Sequence, residues 1–442
     1  MIATADPIDA VQPDAPAAPP LSPVTPVTPV SPVLPATSAA PAKGPFPMPA
    51  GVPTQKAPRG IRFDFNLGSR IALPPGDWRV RLSDLDTGNV LFETNIGAGA
   101  VASAKKYYVR FRVEVWDRAQ GEERRILNHE YDARDRQVLI QFPVGTLGDI
   151  IGWFPYAVKF QQHHGCRLTC AMSGLLIPLF AEAYPHIEFV TPDAVRPERY
   201  YATYDIGLFF DDAAFEWQPC DFRHVGLHRT AAHILGVDPT EQAPLIAIDD
   251  ESRPIADRYV CIATQSTTQC KYWNHPTGWR EIVQFLRTRG YRVICIDQKA
   301  THGHGIVWNH IPYGAEDQTG DRPLAERVRW LRHADFFIGL SSGLSWLAWA
   351  AGTPVVLISG FSSANNEFTT PYRVINYHPC NGCWNDARVR FDHADFLWCP
   401  RHAGTPRQFE CTRLITPEQV KAVLRRIPGF VDPGPEAGHL NS

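Results

Sequence analysis

Four cysteines near the end of the chain have the spacing of a metal site. Cys380, Cys383, Cys399 and Cys411 follow the pattern C-x2-C-x15-C-x11-C. A C-x2-C pair on a tight turn directs two thiolates at one ion, and two further sulfurs complete a tetrahedral shell. Such a shell is closed and indicates one structural metal ion per subunit, and thiolates suit both zinc and iron. The alternative is a set of ordinary buried thiols, since the sequence has ten cysteines in all.

A turn between a predicted strand and a predicted helix carries the candidate for a catalytic base. Asp149 lies in the sequence GDIIG at positions 148–152, shortly after Thr146. Glycines let the backbone approach a ligand closely, and a helix N-terminus offers free N–H groups. A carboxylate here can accept a proton from a hydroxyl nucleophile, and Thr146 and Gly148 are predicted to bind substrate beside it. The alternative is that Asp149 only caps the helix.

Two further segments have the composition of anion sites, and both are predicted to bind substrate. In the first, a strand is followed by a loop rich in hydroxyl and amide side chains, which includes Gln265 and ends at Lys271. Such a loop can hydrogen-bond phosphate oxygens while the ammonium neutralises them, whereas the alternative is a solvated lysine. In the second, Ser341, Ser342 and Gly343 lie between a strand and an apolar helix. Small hydroxyl residues at a helix N-terminus form an anion site.

The elements that must position these residues fall into successive regions. Residues 1–58 are rich in proline and are predicted to form a disordered tail. Residues 59–137 contain short runs of alternating apolar and polar residues, which predict an N-terminal antiparallel β domain of sandwich or barrel type. Strand and helix alternate over 138–245 and again over 246–442, which predicts an α/β fold of two Rossmann-like domains facing a cleft. The metal finger, residues 380–411, belongs to the second of these domains.

Individual elements follow from the same periodicity. Amphipathic patterns predict helices over 278–288 and 324–332, and the apolar run IGLF predicts a strand over 206–209.

Several classes of protein are disfavoured because their motifs do not occur in the required context. They are dehydrogenases with G-x-G-x-x-G, P-loop nucleotide hydrolases, and hydrolases with a G-x-S-x-G elbow.

Charge and cysteine usage limit the partners and the location. A net charge of −3 gives no electrostatic case for nucleic acid or an anionic membrane surface. No stretch approaches the roughly 20 apolar residues that span a bilayer. Irregularly spaced cysteines with a metal-type C-x2-C pair fit reduced thiols, so a cytoplasmic location is expected.

The ordered set of motifs resembles the heptosyltransferases of GT-B fold. GDIIG opens the first Rossmann-like half, KYW at 271–273 ends the loop in the second, and GLSSGLSWLA at 339–348 precedes AGTPV at 351–355. Together with the N-terminal β domain and the four-cysteine finger, this combination resembles the bacterial autotransporter heptosyltransferases. The resemblance covers about residues 60–430 and leaves out the proline-rich tail.

The resemblance implies an inverting transferase that moves heptose from an ADP-heptose donor to Ser or Thr hydroxyls of an autotransporter passenger protein. It implies that Asp149 is the general base and that Lys271 contacts the donor pyrophosphate, with Ser341, Ser342 and Gly343 beside it. Cationic and dipolar groups of this kind make a catalytic metal unnecessary. The resemblance also implies iron in preference to zinc in the finger, and assembly into large ring-like homo-oligomers such as a dodecamer.

The sequence departs from the pattern of related heptosyltransferases in the phosphate loop. Related lipopolysaccharide heptosyltransferases often carry Asp or Thr, then Gly and His, in the phosphate loop, where this chain has Ser342, Gly343 and Ser345. The exact donor contacts therefore differ or are reached by other residues.

The alternative function is a binding or assembly factor with a degenerate transferase fold. Finally, the sequence Asp84-Leu85-Asp86 matches the metal-binding D-x-D of one glycosyltransferase class, but its place in the β domain predicts a turn.

Overall fold

The computed structural model describes residues 46–119 and 121–430, and the predicted tail as far as residue 45 lies outside the described residues. The strands are β1 Gln55–Lys56, β2 Arg62–Asn66, β3 Arg70–Leu73, β4 Trp78–Asp84, β5 Val90–Ile96, β6 Gly99–Ala102, β7 Phe111–Asp117, β8 Arg124–Glu130, β9 Gln137–Gln141, β10 Arg167–Ala171, β11 Glu188–Val190, β12 Ala202–Asp205, β13 Tyr259–Ile262, β14 Arg292–Cys295, β15 Thr301–His304, β16 Val307–His310, β17 Glu316–Asp317, β18 Phe337–Leu340, β19 Val355–Ile358 and β20 Arg373–Val374. The α-helices are α1 Leu147–His164, α2 Ile177–Ala181, α3 Phe222–Val225, α4 Leu227–Leu235, α5 Gly278–Arg287, α6 Leu324–His333, α7 Gly343–Ala350, α8 Glu410–Arg413 and α9 Pro417–Leu424.

An eight-stranded mixed sheet forms the framework of the first half. Its order is β11-β10-β9-β12-β2-β3-β6, with β1 beside β2. The strands from β11 to β2 along this order are parallel, and β1, β3 and β6 are antiparallel to their neighbours. Strands of the N-terminal β region therefore extend the parallel sheet of the region that follows it. The prediction of disorder is wrong for the last residues of the tail, because Gln55 of β1 pairs with Phe63 of β2 in this sheet. The Thr54 hydroxyl also donates to the carbonyl of Tyr200, just before β12, at 2.7 Å.

The remaining strands of the N-terminal region form a four-stranded antiparallel sheet, in the order β5-β4-β7-β8. In β4 the buried Trp78, Val80 and Leu82 alternate with partly exposed residues, as the period of two predicts. The expected N-terminal antiparallel sheet is thus confirmed. Immediately after β4, the Asp84 carboxylate accepts the N–H of Asp86 at 2.9 Å, so the D-x-D sequence forms the predicted turn.

The second half contains six parallel strands in the order β17-β14-β13-β18-β19-β20. Every residue of β13, β18 and β19 is buried, as expected for central strands covered on both faces. Helices α5, α6 and α7 connect consecutive strands, and the β15–β16 hairpin follows β14. Helices α5 and α6 lie within about two residues of the predicted ranges, because their apolar stripes bury against the sheet.

One hydrophobic core runs through both halves of the molecule. It includes Trp153 and Phe154 of α1, and Trp346 and Leu347 of α7. The expected α/β architecture of GT-B-like type, with two Rossmann-like sheets and an added antiparallel sheet, is confirmed. The boundaries predicted at residues 59, 138 and 246 stay predictions. Within the described residues, no helix combines the length and apolar character needed to cross a membrane.

The strand predicted over 206–209 is wrong, because the strand of this region is β12, which ends at Asp205. Because β12 contains polar residues, a search for apolar runs in the sequence does not find it. The Thr203 hydroxyl donates to Asn66 Oδ1 at 2.6 Å, and Gln141 Nε2 donates to Asp205 Oδ1 at 2.8 Å. Hydrogen bonding across neighbouring strands makes these buried polar groups acceptable in the centre of the sheet.

Candidate active site

The N-termini of α1 and α7 meet where the two halves face each other. Each helix follows a parallel strand, β9 for α1 and β18 for α7, so each begins at the carboxyl edge of its sheet. Glycines allow the close approach: a Cβ added at Gly148 would lie 2.6 Å from Trp346 Cδ1 and 3.2 Å from Gly343 Cα. A Cβ added at Gly152 would lie 2.9 Å from Trp346 Cζ3. Helix packing thus accounts for these glycines, and the substrate-binding role of Gly148 and Gly343 stays a prediction.

Asp149 lies in the first turn of α1 and keeps part of its surface open to solvent. Thr146 occupies the N-cap position, so the interpretation of Asp149 as the helix cap is wrong. Surrounding protein raises the pKa of Asp149 to about 6 by burial, and the positive charge of Lys271 acts in the opposite direction. A carboxylate with this pKa is ionised at neutral pH and still basic enough to accept a proton. The side chain therefore has the properties of a general base.

Two hydroxyl groups at these helix N-termini are shielded from solvent and have no hydrogen-bond partner in the described parts of the chain. They belong to Thr146 and Ser342, the N-cap residues of α1 and α7. An N-cap hydroxyl usually accepts a helix N–H, and neither does so here. Because buried polar groups are almost always paired, the two hydroxyls are available to bond a water or a ligand, and their substrate-binding role stays a prediction.

Ser341 differs from Ser342 because its hydroxyl is already engaged. It donates to Glu367 Oε1 at 2.5 Å, while Arg373 Nη1 donates to the other carboxylate oxygen at 2.8 Å. The hydroxyl of Ser362 also donates to Glu367. This buried network fixes the turn between β18 and α7. Because the single hydrogen of this hydroxyl goes to Glu367, the predicted contact of Ser341 with substrate would require the hydroxyl to accept a hydrogen bond or to release Glu367.

The loop after β13 holds the other predicted substrate contacts. Its first residues are anchored by the buried Asp297, whose carboxylate accepts the Thr264 N–H at 2.7 Å and the Gln265 N–H at 3.2 Å. The Gln265 side chain donates to the Lys299 carbonyl at 2.7 Å. Lys271 ends the 3-10 turn Gln269–Lys271, close enough to Asp149 to affect its pKa. Asp149 and Lys271, from opposite halves, are thus near enough for their charges to interact, and a shared site stays a prediction.

Five cysteines line a cavity with a volume of about 10 Å³, which has room for one water-sized sphere. They are the four predicted ligands, Cys380, Cys383, Cys399 and Cys411, together with Cys270. The Cys380 sulfur also lies within 4.8 Å of donor atoms of His402 and Glu410.

The donor set fits a thiophilic metal ion. Burial, helped by the Glu410 carboxylate, raises the pKa of the Cys380 thiol to about 12. A bound cation offsets this penalty, because metal binding stabilises the thiolate. Cys380, Cys383, Cys399 and Cys411 would hold the ion, and the four-cysteine shell stays a prediction.

Some residues of the site were not predicted from the sequence. Asp297 lies two residues after the end of the apolar strand β14, at the carboxyl edge of a parallel sheet, where ligand sites commonly form. Trp346 and Glu367 act through contacts between elements distant in sequence, and neither has a local motif. The position of Cys270 beside the four predicted metal ligands could not be recognised from the sequence, because Cys270 lies more than a hundred residues before them.

Comparisons with known proteins point to one family of glycosyltransferases. Residues 57–119 match the N-terminal domain of glycosyltransferase TibC, and residues 223–391 match glycosyltransferase family 9 (heptosyltransferase). The autotransporter heptosyltransferase BAHTCr of Citrobacter rodentium is 57% identical over 382 residues, which cover 86% of this chain and 92% of that protein. TibC of Escherichia coli is also 57% identical over 382 residues, covering 86% of this chain and 93% of TibC.

One further relative and a crystal structure of TibC bear on function in opposite directions. A protein of Burkholderia thailandensis, named the inactive autotransporter heptosyltransferase BimC, is 52% identical over 387 residues, covering 87% of this chain and 90% of that protein. A crystal structure described as dodecameric iron-containing heptosyltransferase TibC in complex with ADP-D-β-D-heptose has a TM-score of 0.83 and 56% identity, covering 86% of this chain and 99% of that one. This chain therefore belongs to the autotransporter heptosyltransferases, within glycosyltransferase family 9.

Proposed function

We propose that this chain is a protein O-heptosyltransferase. It transfers heptose from ADP-heptose, with inversion at the anomeric carbon, to Ser or Thr hydroxyls of an autotransporter passenger domain. The observation that carries this proposal is the nearness of Asp149, whose pKa burial raises to about 6, to Lys271, whose positive charge acts on that pKa from the other half of the chain. The names of relatives more than half identical to the chain support the donor and the class of acceptor.

The reaction needs one base and one site that stabilises negative charge. Asp149 accepts the proton of the acceptor hydroxyl while the hydroxyl oxygen forms a bond to the anomeric carbon of heptose. On the opposite face, the bond between that carbon and the β-phosphate oxygen breaks, and ADP leaves with the bonding electrons. Attack opposite the leaving group gives inversion. No covalent enzyme intermediate is needed.

Charge on the departing diphosphate is stabilised by groups from both halves. The Lys271 ammonium supplies a positive charge, and the free N–H groups of α7 supply a positive dipole end. The unpaired hydroxyls of Thr146 and Ser342 donate hydrogen bonds to donor oxygens, which would satisfy their own bonding capacity. Gln265 and Gly343 complete the donor side.

The proposal is tested by incubating the purified chain with ADP-heptose and a purified passenger fragment. We expect ADP release in proportion to heptose attached to Ser or Thr, with the anomeric configuration opposite to that of the donor by nuclear magnetic resonance. A product of retained configuration would contradict the single-displacement mechanism.

A second function is favoured by one specific observation, the name of the inactive relative that is 52% identical to this chain. The alternative is a binding or assembly factor that uses the same fold to hold a passenger domain without transferring sugar. Asp149 and Lys271, which come together in this chain, argue for catalysis. Stable binding of the passenger fragment without any ADP release would establish the alternative.

We infer that the cysteine cavity holds one iron ion per subunit and that subunits form large ring-like homo-oligomers, because the similar TibC structures are iron-containing and dodecameric. Reduced thiolate ligands suit the cytoplasm.

Cys383→Ser should lose metal and thermal stability because it opens the thiolate shell. Elemental analysis and a thermal melt measure both effects. A wild-type chain that is free of metal yet equally stable would contradict the metal assignment.

A further inference from the structure

The metal finger, residues 380–411, is in direct contact with the loop that carries Lys271. The N–H of Gln269 donates to the Phe396 carbonyl within the finger at 2.9 Å. On the other side of Lys271, Asn274 Nδ2 donates to the hydroxyl of Thr412, the residue after the last cysteine, at 2.8 Å. One end of this short segment is therefore attached to the finger, and the other to the residue that directly follows it.

Cys270 is a buried part of this contact. Its side chain is 4% exposed and lines the same cavity as the four predicted metal ligands. Its sulfur lies 3.2 Å from the Thr268 hydroxyl. It packs in an aromatic cluster whose other members are Phe222, Phe361, Trp384, Phe391 and Trp398. Since Cys270 directly precedes Lys271, any shift of the cavity wall moves the backbone that carries the lysine.

The Lys271 side chain is held by the same aromatic cluster. Its ammonium lies 5.5 Å from the centroid of the Phe361 ring and 5.7 Å from that of Trp384. A cation over aromatic faces is attracted by their quadrupoles, and the attraction is larger where water is excluded. Within the described ranges, no carboxylate forms an ion pair with Lys271. The rings of the cluster therefore orient the ammonium while leaving it available to an anionic ligand.

We propose that the metal finger positions Lys271 for the donor diphosphate, with Cys270 as the connecting residue. Metal in the cavity fixes the wall against which Cys270 packs, and the rings beside it fix the ammonium. The metal then affects donor binding as well as stability. Cys270 is a positioning residue, and it acts through Lys271. The inference rests on the proposed function of Lys271 as a donor contact.

The test compares two buried cysteines in the purified full-length protein. Cys270→Ala should weaken the binding of ADP, measured by calorimetry, about fivefold or more, the lower end of typical coupling between sites. Its metal content should stay at the wild-type level by elemental analysis. Cys270→Ser keeps the size of the side chain and a partner in Thr268, and should restore most of the affinity. The matched control is Cys170→Ala, a fully buried thiol in β10, which should lower thermal stability without changing ADP affinity.

The Lys271→Ala background makes the test specific. If Cys270 acts through Lys271, then adding Cys270→Ala to Lys271→Ala has no further effect on ADP affinity. Wild-type protein depleted of metal, and shown by circular dichroism to remain folded, should also lose ADP affinity. Unchanged ADP affinity in Cys270→Ala, or an equal loss in both backgrounds, would overturn the inference. If Lys271→Ala alone binds ADP like the wild type, the proposed function of Lys271 is what fails.

Discussion

The two halves of the site hold their charged residues by different means. Asp149 is part of α1, a helix of 18 residues whose N-terminal turns pack against α7 through Gly148 and Gly152. Lys271 lies at the end of a turn of three residues and is held by contacts with the finger. The position of the base is thus set by the core shared between the halves. The position of the cation depends on a small region that we propose to be stabilised by metal.

This difference predicts separate consequences for chemistry and for binding. Changes on the α1 side should affect the rate of transfer and the packing of the two halves. Changes on the loop side should affect donor affinity first, because a cation contacts the diphosphate both before and during its departure. Three substitutions and one pH profile distinguish the two sides.

Replacement of the base should have the largest effect. Asp149→Asn keeps the size of the side chain and removes its ability to take a proton, so transfer should fall by roughly 10²-fold or more. Folding and ADP affinity should be preserved, since α1 keeps its cap and its packing. Initial rates with ADP-heptose and passenger fragment, next to ADP calorimetry, measure both. Transfer close to the wild-type rate would mean that another group accepts the proton.

Removal of the cation should have the next largest effect. Lys271→Ala should weaken ADP binding by about 1.5 to 3 kcal/mol, the usual range for a hydrogen bond to a charged group. Lys299→Ala is the matched control, because Lys299 is an exposed lysine on the neighbouring loop whose backbone, not side chain, holds Gln265. ADP calorimetry on both variants separates a specific contact from general charge. Equal losses in the two variants would argue for long-range attraction only.

The substitution Gly152→Ala, which adds one methyl group, tests the packing between α1 and α7. Gly152→Ala would bring a Cβ to 2.9 Å from Trp346 Cζ3 and 3.1 Å from His228 Cβ, and should destabilise the protein by about 1–3 kcal/mol. This result would oppose the usual gain of Ala over Gly within a helix. Gly51→Ala, where an added Cβ meets nothing within 4 Å, is the control. A thermal melt compares them, and an unchanged or stabilised Gly152→Ala would contradict close packing of the two helices.

Periodicity and short motifs predicted much of this arrangement from the sequence. The stripes of α5 and α6, the alternation in β4, and the sequences around Asp149 and Lys271 are local signals. The strand β12 was misplaced because its buried polar residues pair only with neighbours in the folded sheet. The roles of Trp346 and Cys270 were also hidden, since each depends on a contact with an element far away in sequence. Local patterns locate elements, whereas tertiary contacts decide which residues meet.

The pH dependence of transfer tests most directly whether Asp149 and Lys271 act at one site. The ionised carboxylate is the active base, so kcat/KM should fall as the pH drops below about 6 in the wild type. Lys271 lowers the pKa of Asp149, and Lys271→Ala should therefore raise that pKa and move the acid limb to higher pH. Lys299→Ala should leave the limb in place. An acid limb at the same pH in wild type and Lys271→Ala would contradict the joint site.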